Sequence, residues 1–92
     1  MTRIQTLSTV PTNHIPDMSD MEPGILYVSE TYGAAAHLCA CGCGLETYTP
    51  LRPINEGGWT LTDGPTLRPS IGNYGFPCGS HYYVTNGEIQ WL

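Results

Sequence analysis

Four cysteines and two histidines in two short runs are the feature that most constrains the fold of this chain. Three of the cysteines alternate with small residues between His37 and Gly44, in the run HLCACGCG, and the fourth lies in CGSH, between Cys78 and His81. Thiolates and imidazoles at these spacings are typical of a zinc site whose two halves come from separate loops. Glycines beside the ligands let the backbone wrap around an ion with positive φ angles. The two runs therefore predict a small zinc-centred domain.

Two disulfide bridges are the main alternative for four cysteines. Cysteines two positions apart pair poorly, because so short a segment reaches the geometry of a bridge only with strain. The segment from Met1 to Pro23 has one arginine, no apolar stretch and three acidic residues near its end, so it does not resemble a secretory signal. We therefore expect a cytoplasmic protein, in which thiols stay reduced and are free to bind metal.

The candidate ligands outnumber those that one zinc ion needs, because zinc takes four. The candidates are His37, Cys39, Cys41, Cys43, Cys78 and His81. The simplest set combines two ligands of the first run with Cys78 and His81, and the choice among the three cysteines of that run stays open. A spare member of the set would be available for chemistry. His14 has no other ligand at a useful spacing, so we expect it to be exposed to solvent.

Charge and hydropathy exclude two classes of partner. The net charge is −5, and the basic residues are Arg3, Arg52 and Arg68. A zinc finger that binds nucleic acid needs many more lysines and arginines to neutralise phosphates. No apolar stretch approaches the length of a membrane span. We expect neither a nucleic acid nor a membrane as partner.

Length and turn residues predict the fold class. A chain of 92 residues forms one domain whose hydrophobic core alone is marginal, and a metal ion is a usual supplement at this size. Eleven glycines and eight prolines favour short strands and tight turns. We predict a small, mainly-β, zinc-stapled domain of antiparallel strands with a C-terminal hairpin. Residues 1–23 are expected to form a leader, poorly ordered or draped over the domain, and residues 24–92 a single zinc-centred β domain.

The C-terminal hairpin can be predicted in register. Asn86-Gly87 is the preferred two-residue loop of a type I′ turn, and such a loop fixes which residues of the two strands face each other. The residues predicted to share one apolar, core-facing side are Tyr82, Val84, Ile89 and Trp91. His81 then lies on the opposite side, at the start of the first strand, where it can reach a site at the end of the sheet.

The segment RPSIGN, from Arg68 to Asn73, is the other candidate for chemistry. Arginine is scarce in this chain, and Pro69 stiffens the backbone before a serine. Ser70 could serve as a nucleophile, with Arg68 and Asn73 as donors to an oxyanion. An ordinary turn, whose polar side chains bond their own backbone, explains the same composition. Both interpretations stay open at this point.

Four motifs in one order resemble the BubE family of small bacterial proteins. They are LYVS from Leu26, HLCACGCG from His37, RPSIGN from Arg68 and CGSHY from Cys78, and the resemblance covers roughly residues 24–92. Members of this family tend to be encoded beside the E1-like, E2-like and ubiquitin-like proteins of bacterial Bub conjugation operons. The resemblance implies a peptidase that matures a ubiquitin-like protein or removes it from its conjugates.

Two mechanisms fit a hydrolase of this kind. In the first, three protein ligands hold zinc and an open coordination position activates water. In the second, zinc is structural, and Ser70 attacks with His37 or His81 as base. A thiolate-rich zinc site is a poor Lewis acid because its ligands already donate charge, so the cysteines favour the second mechanism.

A non-catalytic binding module is the alternative from another functional class. It would present an aromatic surface formed by Tyr48, Trp59, Tyr74 and Phe76. Burial in the core is the commoner fate of aromatic residues. Solvent access at Ser70 distinguishes the two classes, because a hydroxyl buried in its own loop would favour the binding module.

Overall fold

A computed structural model describes residues 3–92 of the chain as two four-stranded β-sheets. The strands are β1 (Ser8–Pro11), β2 (Ile25–Ser29), β3 (Ala34–Leu38), β4 (Glu46–Pro50), β5 (Thr60–Thr62), β6 (Thr66–Gly72), β7 (His81–Thr85) and β8 (Glu88–Trp91). A single 3₁₀ turn, Met18–Asp20, precedes β2, and residues 3–92 contain no α-helix. The mainly-β fold with its C-terminal hairpin is therefore confirmed. Within the described chain, no helix could span a membrane.

The first sheet has the order β1-β2-β3-β4 and is covered on both faces at β3. All five residues of β3 are buried, because one side packs into the core between the sheets and the other against a second cluster. Met21 and Ile15, from the segment before β2, belong to that second cluster. Strand β1 pairs in parallel with β2. The division into a leader and a domain stays a prediction, but the segment before Gly24 contributes one strand and part of the packing.

The second sheet has the order β5-β6-β7-β8, and its hairpin has the predicted register. Asn86 and Gly87 have φ angles of 50° and 78°, as the central positions of a type I′ turn require. Tyr82 and Val84 are fully buried between the sheets. The alternation of β7 consequently places His81 on the opposite face, at the first position of the strand.

An irregularity in β6 determines where Ser70 lies. Leu67 pairs with Val84 and Ile71 pairs with Tyr82, so the three residues 68–70 face a single residue of β7. Pro69, which has no backbone N–H to donate, lies at the centre of this bulge, a position where proline is tolerated in a sheet. The bulge brings Ser70 beside the start of β7.

Candidate active site and metal centre

Ser70, His81 and Tyr74 form a chain of hydrogen bonds at the surface of the second sheet. The Oγ of Ser70 lies 2.7 Å from Nε2 of His81, and the hydroxyl of Tyr74 lies 2.9 Å from Nδ1 of the same ring. Ser70 and His81 are half-buried, while Tyr74 is 74% exposed. A serine next to an oriented histidine is the arrangement that activates a hydroxyl for nucleophilic attack.

The two hydrogen bonds are compatible with one tautomer of His81. When Nδ1 carries the proton and donates it to the Tyr74 oxygen, Nε2 has a free lone pair that accepts the hydroxyl proton of Ser70. This is the tautomer that a general base needs. Tyr74 thus occupies the place on the far side of the imidazole that a carboxylate occupies in the serine-histidine-aspartate triad.

Gly72 allows Tyr74 to reach the histidine. A Cβ atom at Gly72 would lie 2.5 Å from Cε2 of Tyr74, so the tyrosine ring packs directly against the backbone of β6 at this glycine. The ring meets the imidazole of His81 edge to face, with centroids 5.4 Å apart. Any larger residue at position 72 would push the tyrosine ring away.

His37, the other candidate base, lies in the core and bonds a different partner. Its Nε2 is 2.8 Å from the hydroxyl of Tyr82, which also accepts the backbone N–H of Ala40 at 3.3 Å. Burial lowers the pKa of His37 to about 4, so the ring is neutral near pH 7. Its only hydrogen bond among residues 3–92 is the one to Tyr82, and its Nδ1 is buried without a partner. The geometry therefore favours His81 as the base.

Arg68 has its hydrogen-bonding groups engaged away from Ser70. The Arg68 guanidinium bonds the carbonyl of Val84 at 3.1 Å and the hydroxyl of Thr85 at 2.8 Å, and it lies over the ring of Tyr83. The bulge directs this side chain along β7 rather than toward the serine. An oxyanion role for Arg68 therefore has no support in the geometry.

Asn73 is likewise engaged, but at the cysteine cluster. It is buried, accepts the hydroxyl of Thr47 at 3.1 Å, and donates to the hydroxyl of Ser80 at 3.0 Å and to the sulfur of Cys39 at 3.5 Å. The amide of Asn73 thus joins the first sheet to the loop that precedes β7. This is a supporting contact of the cluster, and an oxyanion role finds no support here either.

The four cysteines lie together, with all four sulfur atoms within 4.8 Å of one another. Individual separations are 3.5 Å for Cys39 and Cys41, 3.8 Å for Cys39 and Cys78, and 3.9 Å for Cys43 and Cys78. Four sulfurs around one tetrahedral zinc ion, each at about 2.3 Å, are about 3.8 Å apart. The cluster thus fits a four-thiolate metal site, and no two of these cysteines form a disulfide.

The backbone turns tightly around this cluster, and the surroundings shift the pKa values of its cysteines in opposite directions. Gly42, Gly44 and Gly79 have positive φ angles of 90°, 82° and 54°, so the chain turns tightly around the sulfurs, as expected from the glycines. A hydrogen bond with Ser80 lowers the pKa of Cys78 to about 6, whereas burial raises the pKa of Cys41 to about 12. A bound cation would favour the thiolate at every position.

His81 and His14, the remaining candidates, lie outside the metal cluster. His81 is not among the grouped ligands, and both of its ring nitrogens are hydrogen-bonded to hydroxyls. A ligand role for His81 therefore lacks geometric support, and the group of four that could hold a metal ion contains all three cysteines of the first run together with Cys78. His14 is exposed and stacks near Tyr32, with centroids 5.2 Å apart.

Tyr74 is the residue of this candidate site that the sequence analysis does not predict for a catalytic role. It appeared only among the aromatic residues of the binding-module alternative. A signal was present in its position, since it lies between the serine motif and the Cys78–His81 run. Its contact with His81 depends on the path of the loop after β6, and no spacing rule predicts that path.

Comparison with known proteins identifies the family. Residues 12–92 match the family described as "Bacterial ubiquitination-like system serine protease (BubE)". No curated protein and no solved structure matches the chain. The match covers most of the chain, including all four cysteines and the residues around Ser70, and the chain belongs to the BubE family.

Proposed function

We propose that this protein is a serine peptidase in which Ser70 is the nucleophile and His81 is the general base. One observation carries this proposal: among residues 3–92, Ser70 is the serine whose hydroxyl is hydrogen-bonded to a histidine. Ser29 and Ser80 are buried and bond a backbone carbonyl and the cysteine cluster, respectively. The family description, a serine protease, agrees with a serine nucleophile.

The reaction follows from the geometry of the hydrogen-bond chain. Ser70 Oγ attacks the carbonyl carbon of the scissile bond while its proton passes to Nε2 of His81. The imidazolium then gives this proton to the departing amine, which leaves an acyl group on Ser70. Water, deprotonated by the same Nε2, releases the acyl group and restores the serine. Tyr74 holds the ring in the required tautomer throughout, as a positioning residue.

The substrate we propose is a ubiquitin-like protein, cut at its C-terminal bond either in its precursor or in a conjugate. The support is the family description, which names a bacterial ubiquitination-like system. The site lies on an outer sheet face beside an exposed loop, where an extended tail of a folded protein has access. Four free thiols suit a reducing compartment, which supports a cytoplasmic location.

We also propose that the cysteine cluster holds a structural zinc ion. Four thiolates complete the tetrahedral coordination of zinc, so no position is left for a reactive water. A bound ion would supply folding free energy by tying Cys39, at the end of β3, to Cys78, in the loop before β7. Ser80 contacts two of these sulfurs and directly precedes His81, so the same loop carries the metal ligand and the base.

Substitution of the serine tests the proposed function. Ser70→Ala should abolish cleavage of a ubiquitin-like protein carrying a C-terminal extension, with metal content and melting temperature near those of the parent. Ser19→Ala, at an exposed serine in the 3₁₀ turn, is the matched control and should stay fully active. A fluorophosphonate probe should label the parent at Ser70, as read by mass spectrometry. Activity retained by Ser70→Ala would refute the assignment, and absence of any cleavage by the parent would favour the binding module.

A further inference from the structure

A pocket of about 240 Å³ lies next to Tyr74, between β4 and β6. We call it the aromatic pocket; the lining residues that matter for its chemistry are Glu46, Tyr48, Trp59, Gly72, Tyr74 and Phe76. It is smaller than the cavities of about 300–1,000 Å³ that enclose whole small-molecule ligands. Its size therefore suits a single side chain of a larger ligand.

None of the four aromatic residues of this pocket is fully buried, although Trp59 and Phe76 pack against the edge of the core. Tyr48 and Tyr74 are 51% and 74% exposed, and Trp59 and Phe76 are half-buried. Two exposed tyrosine rings beside two half-buried aromatic rings form a larger apolar surface than single exposed residues do in a domain this small. Their arrangement indicates a surface kept open for a ligand.

The polar groups of the pocket determine the kind of ligand. Glu46 is half-buried, and two of the three arginines are engaged elsewhere, Arg3 over the ring of Trp91 and Arg68 over the ring of Tyr83. Aromatic faces together with a carboxylate attract a cation, through the ring quadrupoles and through charge. The indole Nε1–H of Trp59 is buried without an acceptor among residues 3–92, so its NMR signal reports on changes in the packing around this ring.

The backbone beside the pocket is suited to an extended peptide. Strand β4 is the last strand of the first sheet. Cys39 donates to the carbonyl of Leu45, and in an antiparallel pair this alternation turns the N–H and C=O groups of Glu46 and Tyr48 away from β3. These groups can bind the main chain of an added strand, while a neighbouring pocket takes one of its side chains.

We infer that the aromatic pocket binds an arginine or lysine side chain of an extended polypeptide substrate, close in sequence to the bond that Ser70 attacks. Gly72 and Tyr74 belong both to the pocket and to the surroundings of His81, so a side chain in the pocket places its own backbone near the serine. The assignment of this peptide as a substrate rests on the proposed peptidase function; the binding of a basic side chain does not.

Peptide binding to the full-length Ser70→Ala protein tests the inference without catalysis. The probe is a blocked tripeptide with arginine between two glycines, and its matched control carries citrulline, which has a similar shape and no charge. Binding is followed by NMR through the indole N–H signals of Trp59 and Trp91. We expect the arginine peptide to move the signal of Trp59, leave that of Trp91 in place, and bind about fivefold more tightly than the citrulline peptide, as for a partly exposed charge pair.

A pair of variants checks the role of the carboxylate. Glu46→Gln should weaken binding of the arginine peptide about fivefold, whereas Glu88→Gln, at an exposed position of β8, should not. Equal affinity for arginine and citrulline, an unmoved Trp59 signal, or equal effects of the two variants would overturn the inference. Failure of the proposed function looks different, because Ser70→Ala would then stay active while the peptide still binds in the pocket.

Discussion

Tyr74 distinguishes this site from a serine-histidine-carboxylate arrangement, because its phenol takes the position of the carboxylate. A phenol that accepts the Nδ1–H bond fixes the tautomer of His81, but it carries no charge to stabilise the imidazolium. We expect Tyr74→Phe to lower kcat about tenfold, since a hydrogen bond to a charged group contributes roughly 1.5–3 kcal/mol. KM should change little, because the aromatic ring remains. Steady-state kinetics measure both constants, and a change confined to KM would remove Tyr74 from the positioning role.

Gly72 provides an independent test of the same contact. Gly72→Ala introduces a Cβ that would lie 2.5 Å from the tyrosine ring, and the exposed ring can move aside. We expect kcat to fall while the melting temperature does not, because alanine is favoured over glycine in a strand by roughly 0.5–1 kcal/mol. The double variant with Tyr74→Phe should be no slower than Tyr74→Phe alone. Additive losses would mean that Gly72 acts through some other contact.

At the residue scale, the sequence predicts the identity of most site residues better than their roles. Ser70, His81 and the four cysteines are recognisable as candidates because a nucleophile, a base and a metal ligand each require particular side chains. Roles depend on contacts across the two sheets: His81 bonds Ser70 rather than a metal because the bulge of β6 brings the serine to it. Arg68 and Asn73 show the same limit, since each can bond any nearby carbonyl or hydroxyl.

At the scale of elements, the sequence predicts the strands whose pairing is determined by the residues of a local turn. The hairpin of β7 and β8 follows from Asn86-Gly87, and its register is confirmed. The parallel pairing of β1 with β2 and the bulge in β6 are not encoded in any short motif. Both depend on long-range packing. The N-terminal segment packs over β3, and the bulge allows β6 to pair with both β5 and β7.

The turn of this hairpin yields a stability prediction. Gly87 has a φ of 78°, and a Cβ there would meet the carbonyl oxygens of Gly64 and Leu7 at 3.1 Å. Gly87→Ala should therefore cost about 1–2 kcal/mol of unfolding free energy, seen as a melting temperature lower by about 5–10 °C. Gly75→Ala is the matched control, because a Cβ there meets nothing within 4 Å. Equal melting temperatures of the Gly87→Ala and Gly75→Ala proteins would show that the hairpin can form with a different turn.

At the scale of the whole molecule, the cysteine cluster connects the two sheets. Cys39 follows β3 of the first sheet, and Cys78 lies in the loop that leads into β7 of the second. A core of this size is marginal on its own, so a metal ion bound between the sheets would add a large share of the stability. Metal binding and folding should therefore be lost together.

Ligand substitution tests this coupling. Cys78→Ser should lower both the metal content, which we expect to be one ion per chain in the parent, and the melting temperature. His14→Ala should change neither, because His14 is exposed and lies outside the cluster. Elemental analysis and thermal unfolding of the reduced proteins give the two values. Metal-free parent protein with an unchanged melting temperature would contradict a stapling role for the cluster.

Exchange of the metal separates a structural role from a catalytic one. In the proposed site, four thiolates would leave the ion no open position, and the proposed nucleophile is an oxygen of the protein itself. Refolding with cobalt(II) in place of zinc should therefore leave kcat unchanged, while the thiolate-to-cobalt absorption reports how many sulfurs bind. If instead a water at an open coordination position of the metal attacked the substrate, kcat would change with the metal, because a reaction at the ion depends on its Lewis acidity. A kcat that changes with the identity of the metal, together with an active Ser70→Ala variant, would show that the ion and not Ser70 carries out the reaction.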